Sequence, residues 1–93
     1  MTELNLIAAS DFCRYHEVEY TFISSLEEAG LVELKVVNHT TYIPETELQK
    51  LEKIIRMHHE LEINIEGIDV ISHLLRRMEL MQEEIRQLRN KLR

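Results

Sequence analysis

The last third of the chain, Gly67 to Arg93 (GIDVISHLLRRMELMQEEIRQLRNKLR), constrains the fold more than any other stretch. Ile71, Met78, Ile85 and Leu92 alternate with Leu74, Met81 and Leu88 at spacings of three and four, with no polar interruption. That pattern is the a/d seam of a coiled coil. A single helix cannot bury its own seam, so these seven residues are expected to mediate dimerisation. Arg77, Glu84 and Lys91 then fall at g positions and Gln82 and Arg89 at e. One favourable cross-pair, Glu84 with Arg89, is too weak to choose between parallel and antiparallel pairing.

A chain of 93 residues has room for one small core and one extended element, near the lower limit of independent folding. Only two Gly and one Pro, with 44% apolar and 30% charged residues, indicate an ordered, helix-rich globular protein. No apolar run reaches the ~18 residues of a membrane span, and no basic segment precedes an apolar one at the amino terminus; the expectation is a cytoplasmic protein. Cys13, the one cysteine, has no second thiol for a disulfide or zinc site and reads as a buried structural thiol.

The charge is unevenly placed. Residues 1–50 hold nine acids (Glu3, Asp11, Glu17, Glu19, Glu27, Glu28, Glu33, Glu45, Glu47) against three bases (Arg14, Lys35, Lys50). Residues 51–93 carry eight of each sign, so the first half accounts for the whole net charge of −6. A partner of that half is expected to be basic, and nucleic acid is disfavoured.

In chain order, Leu4 to Ile7 is short and leaves strand and arm open. Ser10 reads as the N-cap of a short helix through Phe12 and Cys13 to about His16, with Asp11 in its first turn. Val18 and Glu19 connect it to a second helix, Tyr20 to Ala29, whose Phe22, Ile23, Leu26 and Ala29 recur at helical spacing. Gly30 ends that helix as the residue tolerant of a left-handed position. Two short helices so closely joined form a helix-turn-helix.

From Leu31 to Val37 the pattern alternates, placing Val32, Leu34 and Val36 on one side and Glu33 and Lys35 on the other. Asn38-His39-Thr40 is the turn and Thr41 to Ile43 the return strand of a hairpin. Pro44 suits the first position of a third helix, with Glu45 and Glu47 in its first turn and Leu48, Leu51, Ile55, His58 and Leu61 as its apolar stripe beside Ile54. The stripe loses phase at Glu62 to Glu66, where Asn64 can cap a new helix and an elbow lets Ile63, Ile65 and Ile68 pack back. Gly67 inside that first turn costs about 1 kcal/mol by propensity. The expected architecture is mainly α: a winged helix-turn-helix module over residues 1–63 with a small β-hairpin wing, and a long coiled-coil helix over 64–93.

Chemistry finds little support. There is no Ser or Cys nucleophile with a spaced base, and too little glycine for a phosphate loop, so an enzyme is not expected, nor a cofactor. His58, His59 and Glu62 offer too few ligands for a metal, and His58 lies on the apolar stripe. Two acidic groups remain as candidate partner-binding surfaces: Glu17, Glu19, Glu27, Glu28 and Glu33 around the turn, second helix and wing root, and Glu60, Glu62, Glu66 and Asp69 at the elbow. The sequence does not rank them.

This order of parts resembles the MerR family of transcription regulators. SLEEAGLVE, Ser25 to Glu33, is similar to the family's second helix running into the wing. LEKIIRMHHELEINIEGIDVI, Leu51 to Ile71, is similar to its closing helix and the start of its long helix. The basic-aromatic run that regulators carry in helix 2 is replaced here by Tyr20-Thr21-Phe22-Ile23-Ser24, and the Gly-Tyr-Arg element of their wing tip by Asn38-His39-Thr40-Thr41-Tyr42. The chain also resembles the chaperone-modulator family (CbpM type), short MerR-like proteins with a long carboxy-terminal helix, most closely over RMHHELEINIEGIDVI, Arg56 to Ile71. That resemblance implies a J-domain co-chaperone of the curved-DNA-binding kind as partner, whose stimulation of Hsp70 the modulator would inhibit. The alternative it leaves is a MerR-like regulator that binds DNA.

Overall fold

The computed structural model describes residues 5–92. Leu4, at the start of the expected strand or arm, and Glu3 of the acidic count lie outside the described residues. The order is β1 (Leu6–Ala8), α1 (Ala9–His16), α2 (Tyr20–Glu28), β2 (Lys35–Val37), β3 (Thr40–Pro44), a 3₁₀ turn (Glu45–Glu47), α3 (Leu48–Leu61) and α4 (Ile65–Lys91). The chain is mainly helical, with a small antiparallel sheet in the order β1-β3-β2.

The wing is therefore three-stranded. Leu6–Ala8 pairs with β3 in the register Ile7↔Ile43, and the Glu45 N–H donates to the Asn5 carbonyl at 2.9 Å. Thr40 belongs to β3, so the hairpin turn is Asn38-His39 alone, both left-handed (φ 51° and 64°). Two positive φ values match the right-handed twist of a two-residue hairpin, and Asn tolerates the first at low cost.

The helices end where local chemistry stops them. After α1, Glu17 adopts φ 57° and the Val18 N–H reaches back to the Cys13 carbonyl at 3.0 Å. After α2, Gly30 adopts φ +78°, while its N–H and that of Leu31 donate to the Glu27 and Leu26 carbonyls at 2.9 Å each. These are Schellman closures, which satisfy carbonyls left over at a helix end. Their spacing keeps the α1–α2 and α2–β2 connections short.

One hydrophobic core serves the whole module. Phe12 and Cys13 of α1, Ile23 and Leu26 of α2, Leu31 and Val32 of the following loop, Ile43 of β3, Leu51, Ile54 and Ile55 of α3 and Ile68 of α4 are all buried together. Burial pushes the Cys13 thiol above its ordinary pKa, because the thiolate would lose solvation.

Four local expectations are corrected. Ser10 caps nothing: α1 begins at Ala9, directly off β1, with Ala8 as the flanking residue and no side-chain cap. Pro44 closes β3, and α3 proper starts only at Leu48, after the 3₁₀ turn. The inward alternation of Val32, Leu34 and Val36 fails at Val36, which is 69% exposed, because β2 is an edge strand exposed along its whole length. Leu61 lies outside the core for a similar reason: α3 overshoots the module by its last turn, and Ile63, after the left-handed Glu62, packs back instead.

Candidate partner-binding groove

The elbow is built by Asn64 and Gly67. The Asn64 side chain accepts the Gly67 N–H at 2.8 Å, capping α4. A Cβ at Gly67 would stand 2.7 Å from Ile63 Cγ2 and 3.1 Å from the Asn64 cap oxygen. The glycine that propensity disfavours is thus the residue that lets the incoming chain cross its own helix. On the other side of the elbow, His58 Nδ1 lies 3.0 Å from the Ile63 carbonyl, and its ring stacks on Phe22 with centroids 4.5 Å apart. In the tautomer protonated at Nδ1, His58 donates to that carbonyl and ties α3 to the elbow, while the stack ties α3 to α2.

These contacts leave an open groove between α2 and the start of α4. Phe22, His58 and Ile65 line its interior; Ser25 and Glu28 of α2 face Glu66 and Asp69 of α4. The two acidic groups of the sequence therefore meet, through Glu28 from one and Glu66 and Asp69 from the other. Asp69 Oδ1 is a buried acceptor without a hydrogen-bond partner among the described residues, although His73 Nδ1 lies 3.2 Å away. Because the Asp69 main-chain oxygen is closer to the same nitrogen, at 2.8 Å, a neutral His73 donates there. Among the described residues, Glu28 and Glu66 have no ion-pair partner.

The remaining acids do not line this groove. Glu17 sits at the left-handed end of α1, and Glu19 precedes α2 and accepts from Thr21 Oγ1 at 3.4 Å. Glu27 is exposed in the last turn of α2, and Glu60 and Glu62 are exposed at the end of α3. Glu33 is exposed on the loop ahead of β2, where its backbone N–H donates to Glu47 at 2.8 Å.

The outward side of α2 carries no base, since none occurs between Arg14 and Lys35. Its first residue is engaged by the wing: Tyr20 Oη lies 3.1 Å from Thr41 Oγ1. Sequence reasoning assigned Phe22 and His58 to the core alone and found no groove. Their aromatic stack could be inferred only once α2 and α3 were placed side by side.

Along α4, Leu74, Met78, Met81, Ile85, Leu88 and Leu92 are all exposed, most by about half, and Ile71 is half-buried at the module's edge. They form one uninterrupted apolar stripe. Among the described residues, no helix is long and apolar enough to cross a membrane.

A helix-turn-helix followed by a small sheet, a closing helix and a capped elbow into a long helix defines the class: a winged helix-turn-helix protein. Within it, the chain belongs to the MerR helix-turn-helix family, whose model, described as MerR HTH family regulatory protein, matches residues 7–90. Comparison with curated proteins and with solved structures found no match.

Proposed function

We propose that this MerR-family chain is a protein-binding adaptor, a chaperone modulator. It binds the basic face of the J domain of a curved-DNA-binding-type co-chaperone and so prevents that domain from stimulating its Hsp70. The carrying observation is the inversion of charge on α2. A helix-turn-helix reader places this helix against DNA and needs cations for the phosphates. Here the helix presents Glu27 and Glu28, and Glu28 joins Glu66 and Asp69 around a groove with an apolar interior.

A basic helix laid along that groove would bury apolar side chains against Phe22 and Ile65 and place its cations on the carboxylate rim. Pairing through Ile71, Leu74, Met78, Met81, Ile85, Leu88 and Leu92 would present two such grooves in one dimer. The proposed setting is the cytoplasm.

Titration of a labelled J domain with the full chain, at low and high salt, tests the reading. Binding should weaken with salt, as an electrostatic dock does. The double reversal Glu28→Lys with Glu66→Lys should weaken it by about tenfold or more, with helicity unchanged. No binding at micromolar concentration by any J domain of the source organism would reject the reading.

The second reading, a DNA-binding regulator, is favoured by family membership alone. A sequence-specific footprint on the DNA upstream of its own gene would put it first.

A further inference from the structure

A second groove, which shares no lining residue with the acidic one, has the opposite charge. Lys50, Lys53 and Arg56 recur every third residue along α3, and Arg76 faces them from α4 across the angle where the two helices diverge. Together they line a larger groove, whose apolar lining is the exposed Leu75 with the edges of Leu31 and Ile55, both otherwise buried in the core. Lys50 is engaged by Glu47 at 3.5 Å, but among the described residues Lys53, Arg56 and Arg76 have no ion-pair partner. Of the two acids along it, Glu52 is directed to His16 at 3.9 Å, leaving Glu79 as the one without a partner among the described residues.

We infer that this groove is a second docking site, for an acidic protein segment with apolar residues interleaved among its carboxylates. The cations supply complementarity to such a segment, and the apolar lining gives its interleaved side chains a surface to bury against. Duplex DNA is the poorer fit. It offers phosphates and no apolar side chain, and it would have to approach a chain of net charge −6 along a groove that also holds two acids.

The groove is also independent of the pairing stripe. At about 100° per residue, Ser72, Leu75, Arg76 and Glu79 centre roughly 140° around α4 from the Ile71-to-Leu92 seam. Pairing through the seam leaves Ser72, Arg76 and Glu79 on the outer side of α4, with Leu75 at the flank of the seam. The inference does not rest on the J-domain reading, since the two grooves share no lining residue and carry opposite charge.

The test uses the full chain and a short fluorescein-labelled peptide of glutamates interleaved with leucines, followed by anisotropy. The peptide should bind in a salt-dependent way. The triple reversal Lys53→Glu, Arg56→Glu and Arg76→Glu should weaken it by about tenfold or more, and the neutral triple change to Gln by less, with circular dichroism unchanged in both. J-domain affinity should be the same for wild type and the neutral triple variant.

Equal peptide binding by wild type and the charge-reversed variant would overturn the inference. So would tighter binding of a labelled DNA duplex than of the peptide, or loss of J-domain binding in the neutral variant. Absence of J-domain binding by the wild-type chain, with peptide binding intact, would remove the first reading and leave this one standing.

Discussion

The two ends of α4 are one continuous helix with similar apolar content and opposite surroundings. Its first turns, Ile65 to Ser72, lie on the module, with Ile68 fully buried among residues of every other helix. From Leu74 onward the apolar residues stand about half exposed, with nothing among the described residues to cover them. The same kind of residue therefore stabilises the fold at one end and stands exposed at the other. What differs is geometry: the elbow at Glu62 to Asn64 returns α4 across the module for two turns, after which the helix has run past it.

Changes along α4 probe this contrast, and they rank by how much of the core each touches. Ile68→Ala removes a fully buried side chain and should cost about 2–5 kcal/mol in urea unfolding. A cost below about 1 kcal/mol would show that the start of α4 is not part of the core, and the contrast would fail.

Gly67→Ala should destabilise by about 1 kcal/mol net. Its Cβ would be forced against Ile63 Cγ2, an overpacking cost that outweighs the ~1 kcal/mol gained in helix propensity. A raised melting temperature would mean that the elbow relaxes freely. Asn64→Ala removes the cap of α4 and should cost about 1 kcal/mol, while Asn64→Asp should retain most of it.

The smallest effect on folding should come from the far end. Met81→Glu with Leu88→Glu should leave unfolding of the diluted module within about 0.5 kcal/mol of wild type, since neither residue touches the core. In sedimentation equilibrium the same variant should lower the mass toward that of one chain. If it instead unfolds the module, the two ends of α4 are not independent.

The acidic and basic grooves teach a related point about what a sequence discloses. The nine-to-three charge imbalance of residues 1–50 was legible by counting, and so was the absence of any base on α2. The convergence of Glu28 with Glu66 and Asp69 was not, because it joins residues of α2 and α4 through the stack of Phe22 on His58. The basic groove was hidden by the balance of the second half: eight acids and eight bases cancel in a count, yet α3 and α4 gather Lys53, Arg56 and Arg76 on one side, beside Lys50 of the first half.

Local chemistry by itself determined much of this protein. Gly30 and Asn64 mark a helix end and a helix start because the left-handed backbone and the N-cap oxygen are short-range requirements, met within a few residues. The seam from Ile71 to Leu92 follows from helical periodicity alone. Only the tertiary structure decided that Leu6–Ala8 is a third strand, since its partner Ile43 lies far along the chain. It alone decided that Val36 and Leu61 stand outside the core and that Gly67 marks a close crossing. Each of these depends on which surface comes to lie against which, and a periodic pattern says that a face is apolar without saying what covers it.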